Sequence, residues 1–245
     1  MTPQHRWRLV LVGEGPSDRD RLLPFIRHRA EQCGVEVEPE PFGSEDYLKI
    51  GHIQKRHGDA GFPSPVRSAS GFRKEGDTRG DRRNLRWLFQ LLTKQFPRAS
   101  GSLLVIWSRD TDGDDDCNRK DAFTEVRREF RERFPHVAGA IADECGEAWE
   151  IAGYAPLAAE IEPKILQRWK KELRFDPLAE PERLSHKEHD PKSAKKILNE
   201  LKELLPGQDD RWVEHSADPH ARNIQKCGLR DFSEHLKEVL TPPKA

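Results

Sequence analysis

The chain has 245 residues, 42 Lys and Arg against 43 Asp and Glu, a formal net charge of -1 and 35% hydrophobic residues. That length suits one large domain or a domain with an appended segment, and no run approaches the ~20 apolar residues of a membrane helix, so a membrane protein is disfavoured and the cytoplasm is the expected compartment. Near-zero net charge removes any global argument for nucleic-acid binding, and Cys33, Cys117, Cys145 and Cys227 form no CxxC pair that would suggest a zinc ribbon or disulfide framework.

Trp7 to Val12 is a short apolar run stopped at Gly13-Glu14-Gly15, the pattern of a buried first strand. A helix is expected from about Ser17 to Gln32, with Asp18 and Asp20 in its first turn, where carboxylates suit the helix dipole. Val35 to Glu38 alternates with period two, as an edge-like strand would. From about 40 to 83 the periodicity is lost while Gly, Pro and basic residues accumulate, so this stretch reads as a long basic loop insertion. Asn84 is placed to cap the next helix, which carries Leu85, Leu88, Leu91, Leu92 and Phe96 at helical spacing. Leu103 to Trp107 is continuously apolar, the mark of a strand buried on both faces, and counts as the third strand. A helix over about Arg119 to Phe134 and a strand over Val137 to Ala142 follow. This alternation argues for an α/β fold with an open, mostly parallel sheet flanked by helices. The last third reads as a helical C-terminal extension, with helices over Ala148–Ala152, Ile161–Leu173, Lys192–Leu205 and Leu229–Leu240. Asp190-Pro191 is read as the start signal of the third of these.

In open α/β sheets reactive groups lie beyond the carboxyl ends of the strands, and both acidic motifs fall there: Glu14 after the first strand, Asp110 and Asp112 after the buried one. Carboxylates brought together repel unless a cation neutralises them, so converging Glu14, Asp110 and Asp112 would make a Mg²⁺ site able to polarise a phosphodiester and activate water. The competing reading is that Asp110 to Asp116 is a solvated acidic turn. An EF-hand is rejected, because counting from Asp110 the sixth and twelfth places hold Asp115 and Asp121 where Gly and Glu are needed. An Asp-x-Asp of the haloacid-dehalogenase type would follow the first strand rather than the third.

Glu14 in Val12-Gly13-Glu14-Gly15-Pro16-Ser17-Asp18, followed by Asp110-Thr111-Asp112 beyond a later strand, resembles the Toprim domain, a Rossmann-like catalytic domain of topoisomerases, DnaG-type primases, recombination proteins and OLD-family nucleases. The resemblance covers roughly residues 7 to 150. The string from Glu14 to Asp18 is similar to OLD-like and standalone bacterial Toprim proteins. Glu147-Ala148-Trp149, Pro181-Glu182-Arg183-Leu184 and Asp190-Pro191-Lys192 are similar to a Toprim-like family encoded beside an AAA- or ABC-type ATPase. The resemblance implies Mg²⁺- or Mn²⁺-dependent phosphodiester chemistry, with Glu14 as general base or metal ligand and Asp110 and Asp112 as ligands. It further implies a second metal site completed by Asp18 and Glu147, with Asp114 as an outer ligand. Glu147 read alone would equally well just open a helix. Neither tyrosine, Tyr47 or Tyr154, falls in a plausible cleavage position, which disfavours a covalent topoisomerase mechanism.

The expected organisation is a catalytic domain over 1–150 and a helical extension over 151–245. Arg73, Lys74, Arg79, Arg82 and Arg83 in the insertion, interleaved with Phe62 and Phe72, are the candidate phosphate-backbone contacts. Arg109, beside the Asp pair, would meet a phosphate or balance local acid charge. The expectation is a nuclease on DNA or RNA, acting as effector of an ATPase-partnered anti-phage system, since the chain has no Walker A string of its own. A non-catalytic interaction subunit with a vestigial metal site and a small-molecule phosphohydrolase are the alternatives.

Overall fold

The computed structural model describes residues 5–60, 79–97, 102–111, 118–208, 211–216 and 227–241. In chain order the sheet and first helices are β1 (Arg6–Gly13), α1 (Pro16–Gln32), β2 (Glu36–Pro39), β3 (Leu48–Lys49), α2 (Ile50–Asp59), α3 (Arg79–Gln95), β4 (Leu103–Asp110), α4 (Asn118–Phe130) and β5 (Val137–Ala142). Helices α5 (Glu147–Tyr154), α6 (Pro163–Leu173), α7 (Ala194–Leu204), α8 (Arg211–Ser216) and α9 (Leu229–Leu240) follow, with short 3₁₀ turns at Ala155–Glu160 and Pro181–Arg183.

All five strands are parallel, in the order β2-β1-β4-β5, with the two-residue β3 pairing the upper end of β1. This is the open parallel α/β sheet that the strand–helix alternation predicts. The apolar run of β4 is buried from Leu103 to Ser108, because it lies between β1 and β5 and carries helices on both faces.

Alternation along the central strands sorts the helices into two layers. Leu9, Leu11, Leu104 and Ile106 face a core built with α1, α5 and the later helices. Val10, Val12, Val105 and Trp107 face a second core with α2, α3 and α4. The residues of α5 to α9 thus share one apolar cluster with the sheet, and the expected boundary at 150/151 falls inside α5.

Several boundaries differ from the sequence reading. The stretch expected to be one loop from 40 to 83 contains β3 and α2, while 61–78 lies outside the described residues. Among the described side chains of α2, Ile50, Ile53 and His57 are buried, His57 Nε2 meeting Gln90 at 2.8 Å, so the apolar signal of the helix is weak. Helix α3 begins at Arg79, which puts Asn84 inside it rather than at its cap. Its first turn is held instead by Asp81, buried against arginines from β4 and α4. Helix α4 ends at Phe130, not Phe134, yet Phe134 is 2% exposed and packs on Phe89 with ring centroids 5.3 Å apart. Burial, not helix, explains the phenylalanine spacing there.

Asp190-Pro191 does not start α7, which begins after Ser193. Ser185 and Ser193 form a bridge instead, and Asp190 Oδ1 accepts from Lys192 N at 2.8 Å, closing a turn. The buried apolar run is the fourth strand rather than the third, because β3 precedes it, and it continues as far as Asp110. Among the described residues no helix is long and apolar enough to cross a membrane.

Candidate functional site

At the carboxyl end of β1 the chain turns sharply into α1, and the turn is held by Asp18. Its Oδ2 accepts the backbone N–H of Glu14 at 2.6 Å and that of Gly15 at 3.4 Å. A Cβ on Gly13 would stand 2.8 Å from the Asp18 Cβ, so this approach requires glycine. Asp18 is buried, and desolvation raises its pKa above the ordinary aspartate value despite the opposing charge of Arg21.

Arg21, one turn further along α1, is the centre of a buried ion network. Its Nη1 lies 3.6 Å from Asp18 Oδ1, its Nη2 3.3 Å from Glu147 Oε1, and its Nε donates to Glu150 Oε1 at 3.0 Å. Lys202 of α7 reaches the other Glu150 oxygen at 3.0 Å. Burial works against the Arg21 charge, but the carboxylates of Glu150, Glu147 and Asp110 more than offset it, so its pKa lies above the usual guanidinium value. The guanidinium fills the space over Gly146, where an added Cβ would come within 1.9 Å of Nη1.

Asp110 ends β4 next to this network. Loss of water around its carboxylate pushes its pKa up to about 7; the charge of Arg21 pulls down, Asp18 and Glu147 push up, and a hydrogen bond from the Gly146 backbone pulls down. The β5–α5 loop that supplies Gly146 is closely held. Thr111 N donates to Ala142 O at 3.0 Å, Thr111 Oγ1 accepts from Glu144 N at 2.9 Å, and Glu144 adopts φ 68°. A left-handed non-glycine residue is costly and persists only where its surroundings fix it. Buried Cys145 lies in the same loop, its thiol pKa raised by desolvation.

Glu14 belongs to a second group. It shares the parity of Val10 and Val12, and Arg109 that of Trp107, so both fall on the α3/α4 side of the sheet, whereas Asp110 follows Ile106 toward α1. The Glu14 carboxylate is ion-paired with Arg109 Nη1. Arg109 Nε lies 3.3 Å from Asp81 Oδ1, and Arg119 Nε lies 3.5 Å from Asp81 Oδ2. The structure therefore brings Asp18, Asp110 and Glu147 together around Arg21 but turns Glu14 away, toward Arg109. Among the described residues, no group of three or more His, Cys, Asp and Glu side chains is arranged to hold a metal ion by itself.

The other expected site residues scatter. Asp112 and Asp114 lie outside the described residues, as do Arg73 and Lys74. Arg79 opens α3. Arg82 Nε donates to Glu125 of α4 at 2.8 Å, and the Arg83 guanidinium lies 5.0 Å from the centroid of the Trp87 ring. Both therefore have intramolecular partners.

Sequence reasoning missed Arg21, Glu150, Asp81 and Arg119. For the first two a signal existed: Asp18, Arg21, Leu22 and Phe25 recur at helical spacing on one face of α1, so a charged pair sat on the stripe due for burial. Glu150 likewise follows Glu147 by three residues on an otherwise apolar helix. Asp81 and Arg119 carried no such mark, since Asp81 of α3 meets Arg109 of β4 and Arg119 of α4 only once those elements are packed side by side.

Comparison of the chain with protein-family models, with curated proteins and with solved structures finds no match.

Proposed function

We propose that this chain is a metal-dependent phosphodiesterase acting on DNA or RNA, with a Toprim-like arrangement of acids at the carboxyl ends of its parallel strands. The observation that carries this reading is the charge imbalance around Asp110. Among the described residues Asp18, Asp110, Glu147 and Glu150 lie with the cations of Arg21 and Lys202, and desolvation, with repulsion from Asp18 and Glu147 behind it, lifts the Asp110 pKa to about 7. Hard oxygen donors with uncompensated negative charge fit Mg²⁺ or Mn²⁺ rather than zinc. Mg²⁺ is commonly held by one or two carboxylates, with waters and substrate oxygens completing its shell, so a full protein cage is not needed.

On this reading Asp110 and Asp18 would hold the ion, with Glu147 beside them and Asp112 as a further ligand. Bound there, the ion would polarise the scissile phosphate and lower the pKa of attacking water. Arg21 fixes the directions of Asp18 and Glu147, and Glu14, whose backbone is tied to Asp18, would act as general base once its side chain leaves Arg109. An ATPase partner, a role in anti-phage defence and a cytoplasmic setting rest on the Toprim resemblance and on composition alone.

The test is incubation of the purified chain with plasmid, linear DNA and total RNA, with and without Mg²⁺ or Mn²⁺. Cleavage should require metal and should fall by about a hundred- to a thousandfold in Asp110→Asn, the scale seen when charge stabilisation is lost from a reacting centre. Metal should also raise the melting temperature of the native chain and not that of the variant. Cleavage retained by Asp110→Asn would sink the assignment.

A second reading is favoured by one feature. The Arg21 guanidinium already sits among the acids and could serve as their permanent counter-ion in a non-catalytic interaction subunit. That reading predicts no metal-dependent stabilisation and no turnover.

A further inference from the structure

We propose that the cleft between α4 and α9, along the outer edge of β5, binds a small organic oxyanion: a carboxylate or a phosphate monoester on a short apolar body. The site goes beyond the phosphodiesterase reading and is independent of it, since none of its residues belongs to the acid network around Arg21.

Strand β5 ends the order β2-β1-β4-β5, so among the described residues its outer edge pairs with no strand. Helix α4 packs on one face of the sheet and α9 on the other, and a cleft of about 210 Å³ opens between them beside that edge. The His136 and Ala142 carbonyls accept from Val105 N and Thr111 N, on the β4 side. Gly139 has the opposite parity, so its N–H and C=O point away from β4, toward the cleft that it lines. Pockets for drug-sized ligands run about 300–1,000 Å³, so this cleft suits a smaller body.

The two helices run the same way along β5, which gives the cleft unlike ends. Near Asp143, Lys120 is held by that aspartate at 2.8 Å, and exposed Asp231 lies in the first turn of α9. One or two turns further along, Arg127 of α4 and His235 of α9 line the basic end. Arg127 is half-buried, yet among the described residues it makes no hydrogen bond and no ion pair. Burial works against its charge, Arg131 adds repulsion, and Glu238 attracts it without closing an ion pair. His235 Nε2 is buried with no hydrogen-bond partner among the described residues. A partly desolvated guanidinium and an idle ring nitrogen both gain when an acceptor arrives. An oxyanion fits here, away from Asp231, with the Gly139 N–H as a further donor. Buried Phe123 and Phe232 give its apolar body a wall on each side.

The experiment separates the two oxyanions and the body from the charge. Isotope-labelled protein is titrated with benzoate, phenyl phosphate, benzamide and inorganic phosphate at constant ionic strength in EDTA, and amide chemical shifts are followed by NMR. Benzoate or phenyl phosphate should give saturable shifts centred on Gly139, Arg127 and His235. Benzamide, which keeps the ring without the charge, and inorganic phosphate, which keeps the charge without the ring, should each bind about tenfold or more weakly. Arg127→Gln should weaken binding of the better ligand about tenfold or more, and His235→Gln about threefold or more. Arg128→Gln makes the same charge change at an exposed neighbour outside the cleft and should leave affinity where it was. Arg127→Gln should also keep the melting temperature of the native chain, since no intramolecular partner is lost.

Saturable binding with this variant pattern supports the site, and the tighter of benzoate and phenyl phosphate names the oxyanion. Shifts that do not saturate, or an affinity equal in Arg127→Gln and the native chain, overturn it. So do benzamide or inorganic phosphate binding as tightly as the organic anions, and a melting temperature lowered in Arg127→Gln, which would mean that the guanidinium serves the fold. The cleavage assay with Asp110→Asn judges the phosphodiesterase reading separately, since Asp110 is not part of the cleft.

Discussion

Asp110 shows how a single residue records its surroundings. An aspartate in an unfolded chain titrates near ~4, whereas this one is pushed up to about 7. The folded chain therefore binds the Asp110 proton more tightly than the unfolded chain does, and stability falls as pH rises between those values. Buried Asp18, also raised, acts in the same direction, while Asp46 and Glu129, lowered by hydrogen bonds from Arg19 and Arg86, act oppositely. Comparison with Asp110→Asn isolates the one group. The melting temperature of the variant should exceed that of the native chain at pH 8, and the gap should close toward pH 4. A gap independent of pH would show that Asp110 is not desolvated. At this scale the sequence carried much of the site: Glu14, Asp18, Asp110 and Glu147 are readable as acids at strand and helix ends. It hid which of them meet, because the parity that sends Glu14 toward Arg109 and Asp110 toward Arg21 has meaning only once the strands are packed.

At the scale of elements, aromatic contacts and ion pairs fasten the helices to one another. Trp149 of α5 stacks on Phe232 of α9 with centroids 5.4 Å apart and donates Nε1–H to Cys227 O at 2.6 Å. Phe25 of α1 also packs on Phe232, centroids 5.6 Å apart, and on Trp212 of α8 at 6.3 Å. Trp149→Ala should cost about 3–5 kcal/mol in urea unfolding, and Trp149→Phe, which keeps a ring but not the donor, about 1–3 kcal/mol. Equal losses in the two variants would mean that the hydrogen bond, not the stack, dominates. On the opposite face, α4 crosses β5 so closely that a Cβ on Gly139 would lie 2.9 Å from the Phe123 ring. Gly139→Ala should therefore destabilise by about 1–3 kcal/mol through overpacking. Long elements such as α1, β4 and α9 were legible because each buries a full periodic stripe. Short α2 and α8 were not, since a helix of one to three turns offers too few positions for a period to show.

For the molecule as a whole, the later helices complete a face of the sheet. Trp169, Leu173, Ile197, Leu201, Leu236 and Leu240 share one cluster with Leu9, Leu11, Leu104 and Ile106. A chain ending at residue 150 should therefore aggregate or lack a cooperative melting transition, because that cluster would be opened to water. A soluble, cooperatively melting fragment would show instead that the first 150 residues form a self-sufficient domain. The same packing explains the acid network, since Lys202 of α7 grips Glu150, which holds Arg21. What the sequence by itself determined is the open parallel sheet, its strand ends and the acids placed there, because hydrophobic period and glycine turns are local properties of the chain. Only the tertiary structure decided the pairing of those acids, with Arg21 under Asp18 and Glu147 and with Arg109 and Arg119 on Asp81. Asp18 and Arg21 are neighbours on one helix, but Glu147 lies more than a hundred residues from Arg21 and Asp81 tens of residues from its arginines, and burial by helices on both faces of the sheet is what brings those charges within reach.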